Sequence, residues 1–280
     1  MKYKVSKYNT VVKEENSTIL YNSLSGTIIL AENKRYNYDF LKRPNEIVEK
    51  ENIKNKLLEG GFIVPDYENE DAILRKKYID EIYKNELLLV ILPTEQCNFR
   101  CIYCYETFER TFLCEDNIRY LKEMVEKHME KCDALRVSWF GGEPLVAMNI
   151  IADLSESFIT SCKKHRKPYY SSITTNGYLL TPDSWEWIRK YHITDIQLSI
   201  DGLQITHDKQ RVLYSGRGTW GTIINNLYYF RDHVKTRSIN IMLRTNITKE
   251  IFNQREEYIN FLEKMFSLDK RFHFFFHLVM

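Results

Sequence analysis

At 280 residues the chain exceeds one typical domain of roughly 100 to 200, yet it is within reach of a single barrel of alternating strands and helices, which uses about 250. Its 44% apolar and 28% charged residues are those of a globular protein with a sizeable core, and 40 basic against 38 acidic residues leave a net charge of +2, so a nucleic-acid role has no electrostatic support. The apolar runs fall far short of the roughly 18 residues of a membrane helix, and the start Met1-Lys-Tyr-Lys-Val-Ser-Lys lacks the apolar centre of a signal peptide. The expectation is a cytoplasmic protein without membrane or nucleic-acid partners, in whose reducing surroundings the six cysteines are metal ligands or free thiols before disulfides.

In chain order, residues 3–12 and 18–21 alternate polar and apolar side chains and read as short strands, with a turn at Ser23-Leu-Ser-Gly-Thr27. The apolar run 27–31 is strand or helix, too short for periodicity to settle. Residues 51–59 read as a helix stopped by Gly60-Gly61, followed by a strand at 62–64 and an exit at Pro65-Asp66. With a closing Gly-Gly hairpin, this mixture predicts a small α+β winged-helix-like module over 1–68. A connecting helix follows at 69–86, where Ile73, Leu74, Tyr78, Ile79 and Ile82 keep helical spacing.

From residue 87 short apolar runs alternate with amphipathic stretches. Strands are expected at 87–92, 135–140, 169–175, 195–200, 239–244 and 273–280, with helices at 116–131, 150–165, 182–191, 219–234 and 252–266. Continuous apolar strands separated by helices are what a helix-covered parallel sheet requires, so the fold class is α/β, a partial (β/α)6 barrel over 87–280. In such folds the reacting groups occupy the loops leaving the C-terminal ends of strands. The polar motifs fall there: a cysteine loop after the first strand, Gly141-Gly-Glu-Pro144 after the second, Asn176-Gly177 after the third and Asp201-Gly202 after the fourth.

Cys97, Cys101 and Cys104 lie within eight residues, interleaved with Asn98 and Arg100. Three thiolates supply three corners of a tetrahedral zinc site or three irons of a [4Fe–4S] cube. A structural zinc would want a fourth protein ligand, and His128, Cys114 and Cys132 are not at the usual paired spacing. The alternative is one loop wrapping a cluster whose fourth iron stays open to a chelating substrate. Cys114, Cys132 and Cys162 are scattered over helical stretches and read as packing residues.

Taken together and in order, Cys97-x3-Cys101-x-Tyr103-Cys104, Trp139-Phe-Gly-Gly-Glu-Pro-Leu145, Thr174-Thr-Asn-Gly-Tyr178, Leu198-Ser-Ile-Asp-Gly202 and His207-x3-Arg211 resemble the radical S-adenosylmethionine superfamily. More narrowly they resemble its SPASM-type branch of peptide- and protein-modifying maturases. The resemblance spans residues 87–280 and implies one [4Fe–4S] cluster on Cys97, Cys101 and Cys104, with the free iron chelating S-adenosylmethionine. It also implies that Tyr103 lies near the adenine, that Gly141 and Gly142 let backbone approach the methionyl part, and that Glu143 accepts from its ammonium. Ser199 and Asp201 would meet ribose hydroxyls, Thr175 and Asn176 would line the same wall, and Arg211 or Arg244 would meet the carboxylate. Plainer readings stand beside these: a tight turn for the glycines, a turn signal for Asp201-Gly202, and solvated ion pairs for the arginines.

The implied reaction is reductive cleavage of S-adenosylmethionine to a 5′-deoxyadenosyl radical, which takes a hydrogen from a bound peptide, with a flavodoxin or ferredoxin as electron donor. The substrate expectation is a ribosomally made precursor peptide that acquires a thioether or carbon–carbon crosslink. Its leader would be held by the N-terminal module through strand addition. SPASM-type enzymes carry a cysteine-rich C-terminal extension, whereas this chain stops at Phe274-Phe-Phe-His-Leu-Val-Met280, within or just after the sixth strand. The expectation is a truncated product or one fragment of a longer enzyme. The alternatives are a sulfatase-maturating-type enzyme and a non-catalytic peptide-binding relic.

Overall fold

The computed structural model describes residues 2–13, 17–32, 44–45 and 51–278. The chain divides into two compact units, Met1–Lys84 and Asn85–Met280.

The first unit contains β1 (Tyr3–Val5), β2 (Asn9–Lys13), β3 (Ser17–Asn22), β4 (Ile28–Glu32), α1 (Glu51–Glu59), β5 (Ile63–Pro65) and α2 (Glu70–Ile82). Strands β2, β3 and β4 form an antiparallel sheet and β1 pairs with β5. The stretch expected as one strand over 3–12 is therefore two strands with different partners. The break between them is fixed by buried Ser6, whose hydroxyl is bonded to Glu70 and accepts from Asn22 Nδ2 at 3.0 Å. Asn22 also takes the Leu24 and Ser25 amides onto Oδ1 at 3.0 and 2.8 Å, which folds the turn read from the sequence at 23–27.

Gly60-Gly61 closes α1 rather than a hairpin. The Phe62 amide returns to the Leu57 carbonyl at 2.8 Å and that of Gly61 to Leu58 at 3.0 Å, a helix closure that needs the left-handed φ of +73° at Gly61. Phe62 then enters a small core with Leu20, Leu57 and Ile63. The winged-helix reading falls partly on 33–43 and 46–50, outside the described residues.

The second unit begins with β6 (Glu86–Ile91), β7 (Phe99–Cys101), α3 (Glu115–Met129), β8 (Ala134–Trp139), α4 (Met148–His165) and β9 (Tyr169–Thr175). It continues with α5 (Ser184–Lys190), β10 (Ile193–Ser199), α6 (Gln204–Gln210), β11 (Arg211–Leu213), α7 (Trp220–His233), β12 (Asn240–Ile247), α8 (Lys249–Asn253), α9 (Arg255–Phe266) and β13 (Phe272–Leu278). Six strands make one all-parallel sheet in the order β13-β12-β10-β9-β8-β6, so each major strand lies beside its sequence neighbour, as the partial (β/α)6 barrel requires.

The strands are not buried on both faces. Leu135, Val137, Trp139, Ile173, Ile196, Leu198, Ile241 and Leu243 are buried in the main core, which also takes in the helices. The intervening positions face an open side that holds Leu88, Val90, Ser138, Ser172, Thr174, Gln197 and Met242. Part of that side is a cavity of about 330 Å³ lined by Ser138, Ser172, Thr174, Gln197 and His273. An open barrel leaves its inner face uncovered, which explains the polar residues between the apolar ones.

Helix α4 sends Ile151, Leu154 and Phe158 fully into the core. The stretch Pro144–His165 is long and apolar enough to cross a membrane, but half of it is buried inside the protein, as a core helix is. The single helix expected over 252–266 is interrupted at Gln254, whose side chain instead accepts from Thr206 Oγ1 at 3.0 Å.

Candidate active site at the strand ends

The loop leaving β6 carries the three thiols. Cys97 and Cys101 are half-buried, Cys104 is exposed, and all three are free of disulfides. Cys97 Sγ accepts the Phe99 amide at 3.3 Å, and Asn176 Nδ2 lies 3.8 Å from it. Burial pushes the Cys97 thiol up to about 11 and raises that of Cys101, against the pull of Arg211 on the latter. Such thiols are protonated at neutral pH until a metal displaces the proton. Among the described residues no three Cys, His, Asp or Glu side chains gather as holders of a single ion, which each must approach to about 2–2.3 Å.

The loop is not free. Residues 99–101 form β7, which pairs antiparallel with β11 in the register Phe99–Leu213, Arg100–Val212, Cys101–Arg211. The Ile102 amide bonds the Gln210 carbonyl at 3.0 Å and the Tyr214 amide bonds Asn98 at 2.8 Å, which extends the ribbon at both ends.

The end of β8 presses on the start of this loop. A Cβ on Gly141 would lie 2.4 Å from the Thr94 carbonyl oxygen, and one on Gly142 would lie 2.3 Å from that of Glu95 and 2.5 Å from that of Gln96. Gly141 also has φ +114°. What these glycines admit here is the chain's own backbone. Glu143 follows, fully buried. Its carboxylate accepts from the Leu145 amide at 3.0 Å, Thr175 Oγ1 at 2.7 Å and the Asn176 amide at 2.7 Å, joining the ends of β8 and β9. Burial raises its carboxyl pKa, opposed by these three donors. Asn176 in turn donates to Asn98 Oδ1 at 2.7 Å beside Cys97.

On the other side Tyr103 donates to the Asp201 carboxylate, and its oxygen accepts from Arg211 Nη1 at 2.6 Å. Asp201 is fully buried, takes the Asn246 amide at 2.8 Å on its other oxygen, and lies 3.7 Å from Arg211. Behind them is a relay through His207. The Asp201 amide donates to Nδ1 at 3.2 Å, Nε2 meets Thr219 Oγ1 at 3.1 Å, and that hydroxyl donates to the Arg211 carbonyl at 2.6 Å. Since Thr219 spends its proton on Arg211, Nε2 carries the imidazole proton and His207 is neutral. Burial and the Arg211 charge hold its pKa well below the usual 6.5.

The structure thus brings Cys97, Cys101, Tyr103 and Cys104 together with Asn176, Asp201 and Arg211, and links Glu143 to Thr175 and Asn176. Ser199, the last residue of β10, is the cross-strand partner of Arg244 within β12, and Arg244 Nε donates to Asn246 Oδ1 at 3.1 Å. Four contributors had no assigned role in the sequence reading: Asn98, His207, Thr219 and Asn246. His207 and Arg211 were visible as a spaced pair. Asn246 lies just beyond the fifth expected strand, which was ended at residue 244 while β12 runs to Ile247. Cys162 packs beside Met129 at 3.7 Å, but Cys114 is exposed at the start of α3, so it is not a packing residue.

An open parallel barrel with cysteines on its first strand-end loop defines a class, and the comparisons agree with it. The chain belongs to the Radical SAM superfamily, whose family model matches residues 91–261. It is 29% identical over 238 residues to the radical SAM cyclopropyl synthase TigE of Paramaledivibacter caminithermalis, which covers 72% of this chain and 50% of that protein. It is 33% identical over 134 residues to the GTP 3′,8-cyclase of Haemophilus influenzae, 45% of this chain and 36% of that one. A solved structure of native anSMEcpe with bound AdoMet and Kp18Cys peptide shares the fold at a TM-score of 0.58 and 20% identity, over 68% of this chain and 51% of that one. The chain spans about half the length of the curated relatives it matches.

Proposed function

We propose that this chain is the core of a radical S-adenosylmethionine enzyme that holds one [4Fe–4S] cluster on Cys97, Cys101 and Cys104 and acts on a peptide. The observation that carries the reading is the pinned loop that presents three free thiols at the mouth of an open barrel. The donor set fits such a group. The thiols share one loop without converging on a single point, and Arg211 Nε is a buried donor with no partner among the described residues, which sulfur beside the loop would satisfy.

When bound, the cluster would supply one electron, drawn from a flavodoxin- or ferredoxin-type donor, for the reductive cleavage of S-adenosylmethionine to methionine and a 5′-deoxyadenosyl radical. The chain's own part is placement. Glu143 locks the β8 and β9 ends that flank Cys97, and Ser199 with its cross-strand partner Arg244 offers a hydroxyl and a cation on β10 and β12. Tyr103, tied to Asp201 and Arg211, offers its ring beside Cys104 as the surface for an adenine.

A peptide suits the open face better than a nucleotide triphosphate. Ser138, Ser172, Thr174 and Gln197 both donate and accept, as amides require, whereas Arg136 on the same face is engaged by Glu86. The peptide bound in anSMEcpe supports the same reading. The unit Met1–Lys84, whose three-stranded sheet has β2 and β4 as edges among the described residues, is assigned to the leader of a precursor peptide by strand addition. The product would be a thioether or carbon–carbon crosslink.

Anaerobic reconstitution with ferrous iron and sulfide, then dithionite and S-adenosylmethionine, tests the core of the reading. The expected product is 5′-deoxyadenosine, absent from the Cys97→Ala, Cys101→Ala and Cys104→Ala variants. A folded, cluster-loaded wild-type chain that makes none would sink the proposal. Adding the product of a short cysteine-containing reading frame beside the gene is expected to speed the cleavage.

A further inference from the structure

The segment His207–Tyr214 is joined to the cysteine loop more closely than a crossover connection needs to be. Backbone bonds run from Asn98–Tyr214 to Ile102–Gln210, so five consecutive loop residues, including Cys101, are held in strand register. Arg211, the cross-strand partner of Cys101, is 6% exposed and reaches over to the Tyr103 hydroxyl, next to Cys104. The base of this arm is fixed by the His207–Thr219 relay to the end of β10 and by Asp208 Oδ1. That carboxylate accepts the Thr219 and Trp220 amides at 2.7 and 2.8 Å at the start of α7. The stretch Asn98–Ile102 is therefore held to β11 by backbone contacts that do not involve the thiols.

Resting on the cluster reading above, we propose that His207–Tyr214 is a template for the cluster loop: β11 sets its backbone in ligating form before metal arrives, and Arg211 serves as a positioning residue that also sets the cluster's potential. The physical reasons are two. A loop already ordered does not lose its conformational entropy on taking up iron, so its grip on metal is stronger than that of a loose loop with the same thiols. A cluster gains negative charge on reduction, and a buried cation beside its ligands favours that state, offset in part by Asp201 3.7 Å away.

The test uses the full chain, reconstituted anaerobically with ferrous iron and sulfide, as wild type, Arg211→Gln, Arg211→Lys and Tyr103→Phe. Three quantities are read: the thermal midpoint of the metal-free protein, the rate of iron loss to a chelator, and the cluster midpoint potential from a redox titration followed by electron paramagnetic resonance. Arg211→Gln is expected to lose iron at least tenfold faster and to have a more negative potential. Arg211→Lys is expected to restore the potential but only part of the iron retention, because it keeps the charge without the planar fork. Tyr103→Phe leaves the partly exposed ring in place and removes only the hydroxyl, so the chain stays folded at a modestly lowered thermal midpoint while losing iron faster. It decides the matter if Arg211→Gln does not fold. Wild-type iron loss in Tyr103→Phe, or an unchanged potential in a folded Arg211→Gln, overturns the template. A folded wild type that takes up no cluster overturns the cluster reading itself, and the template with it.

Discussion

His207 shows how one side chain does its work through others. Its ring accepts from the Asp201 amide and gives its proton to Thr219, so protonating Nδ1 would set a cation against a donor and near Arg211. Its folded pKa lies below 6.5, so the unfolded chain takes up a proton that the folded one refuses. The stabilisation is complete above 6.5 and is lost as pH falls below it. As pH falls below 6.5 this group therefore lowers stability progressively, and urea unfolding of His207→Gln should lack that increment of acid sensitivity while wild type shows it. Gly142 acts by what it lacks. Gly142→Ala forces a methyl onto two backbone carbonyls at 2.3 and 2.5 Å, with no flexible side chain to yield, and should cost about 1–3 kcal/mol. Since those carbonyls belong to Glu95 and Gln96, the strain falls directly before Cys97. The variant should show a lowered urea midpoint together with weakened iron retention.

Strands and helices of the core were largely legible because each satisfies its own burial pattern. Residues 169–175 were read end to end as β9, and the other five major strands were displaced by at most three residues at either end within the described chain. The loops named at their ends therefore stood in the right places. The β7–β11 ribbon was not legible. Each of its strands is three residues long, too short for a period, and their pairing joins segments more than a hundred residues apart. Nor could the sequence show that Glu143 and Asp201 have their carboxylates engaged by the protein itself, since a strand-end acid looks the same whether it awaits a ligand or braces a turn. Helix α4 packs against β8 and β9 with fully buried side chains. Leu154→Ala, at a fully buried position, should destabilise the second unit by about 2–5 kcal/mol, read from the shift of its urea transition.

The two units have separate cores of very different size. That of Met1–Lys84 rests on Leu20, Leu57, Phe62 and Ile63, whereas that of Asn85–Met280 draws on every parallel strand of the sheet. Phe62→Ala should cost about 3–5 kcal/mol in the smaller core, enough to unfold it locally. Amide hydrogen exchange is expected to lose protection across residues 1–84 and to keep it across 85–280. Uniform loss over both would show that the units fold as one.

The tie between Tyr103 and Arg211 spans 108 residues of chain, which gives the site a history in time as well as a shape. At about 5–20 residues per second, a ribosome that has just delivered the thiols needs roughly 5–20 s more to deliver the arm that arranges them. During that interval the loop has only its contacts to the ends of β8 and β9, and Cys101 lacks the partner strand that fixes its backbone. On the cluster reading proposed above, assembly of the metal centre is a late event in the life of the polypeptide, and loading it in the cell would depend on how well those thiols are sheltered until synthesis has passed Tyr214.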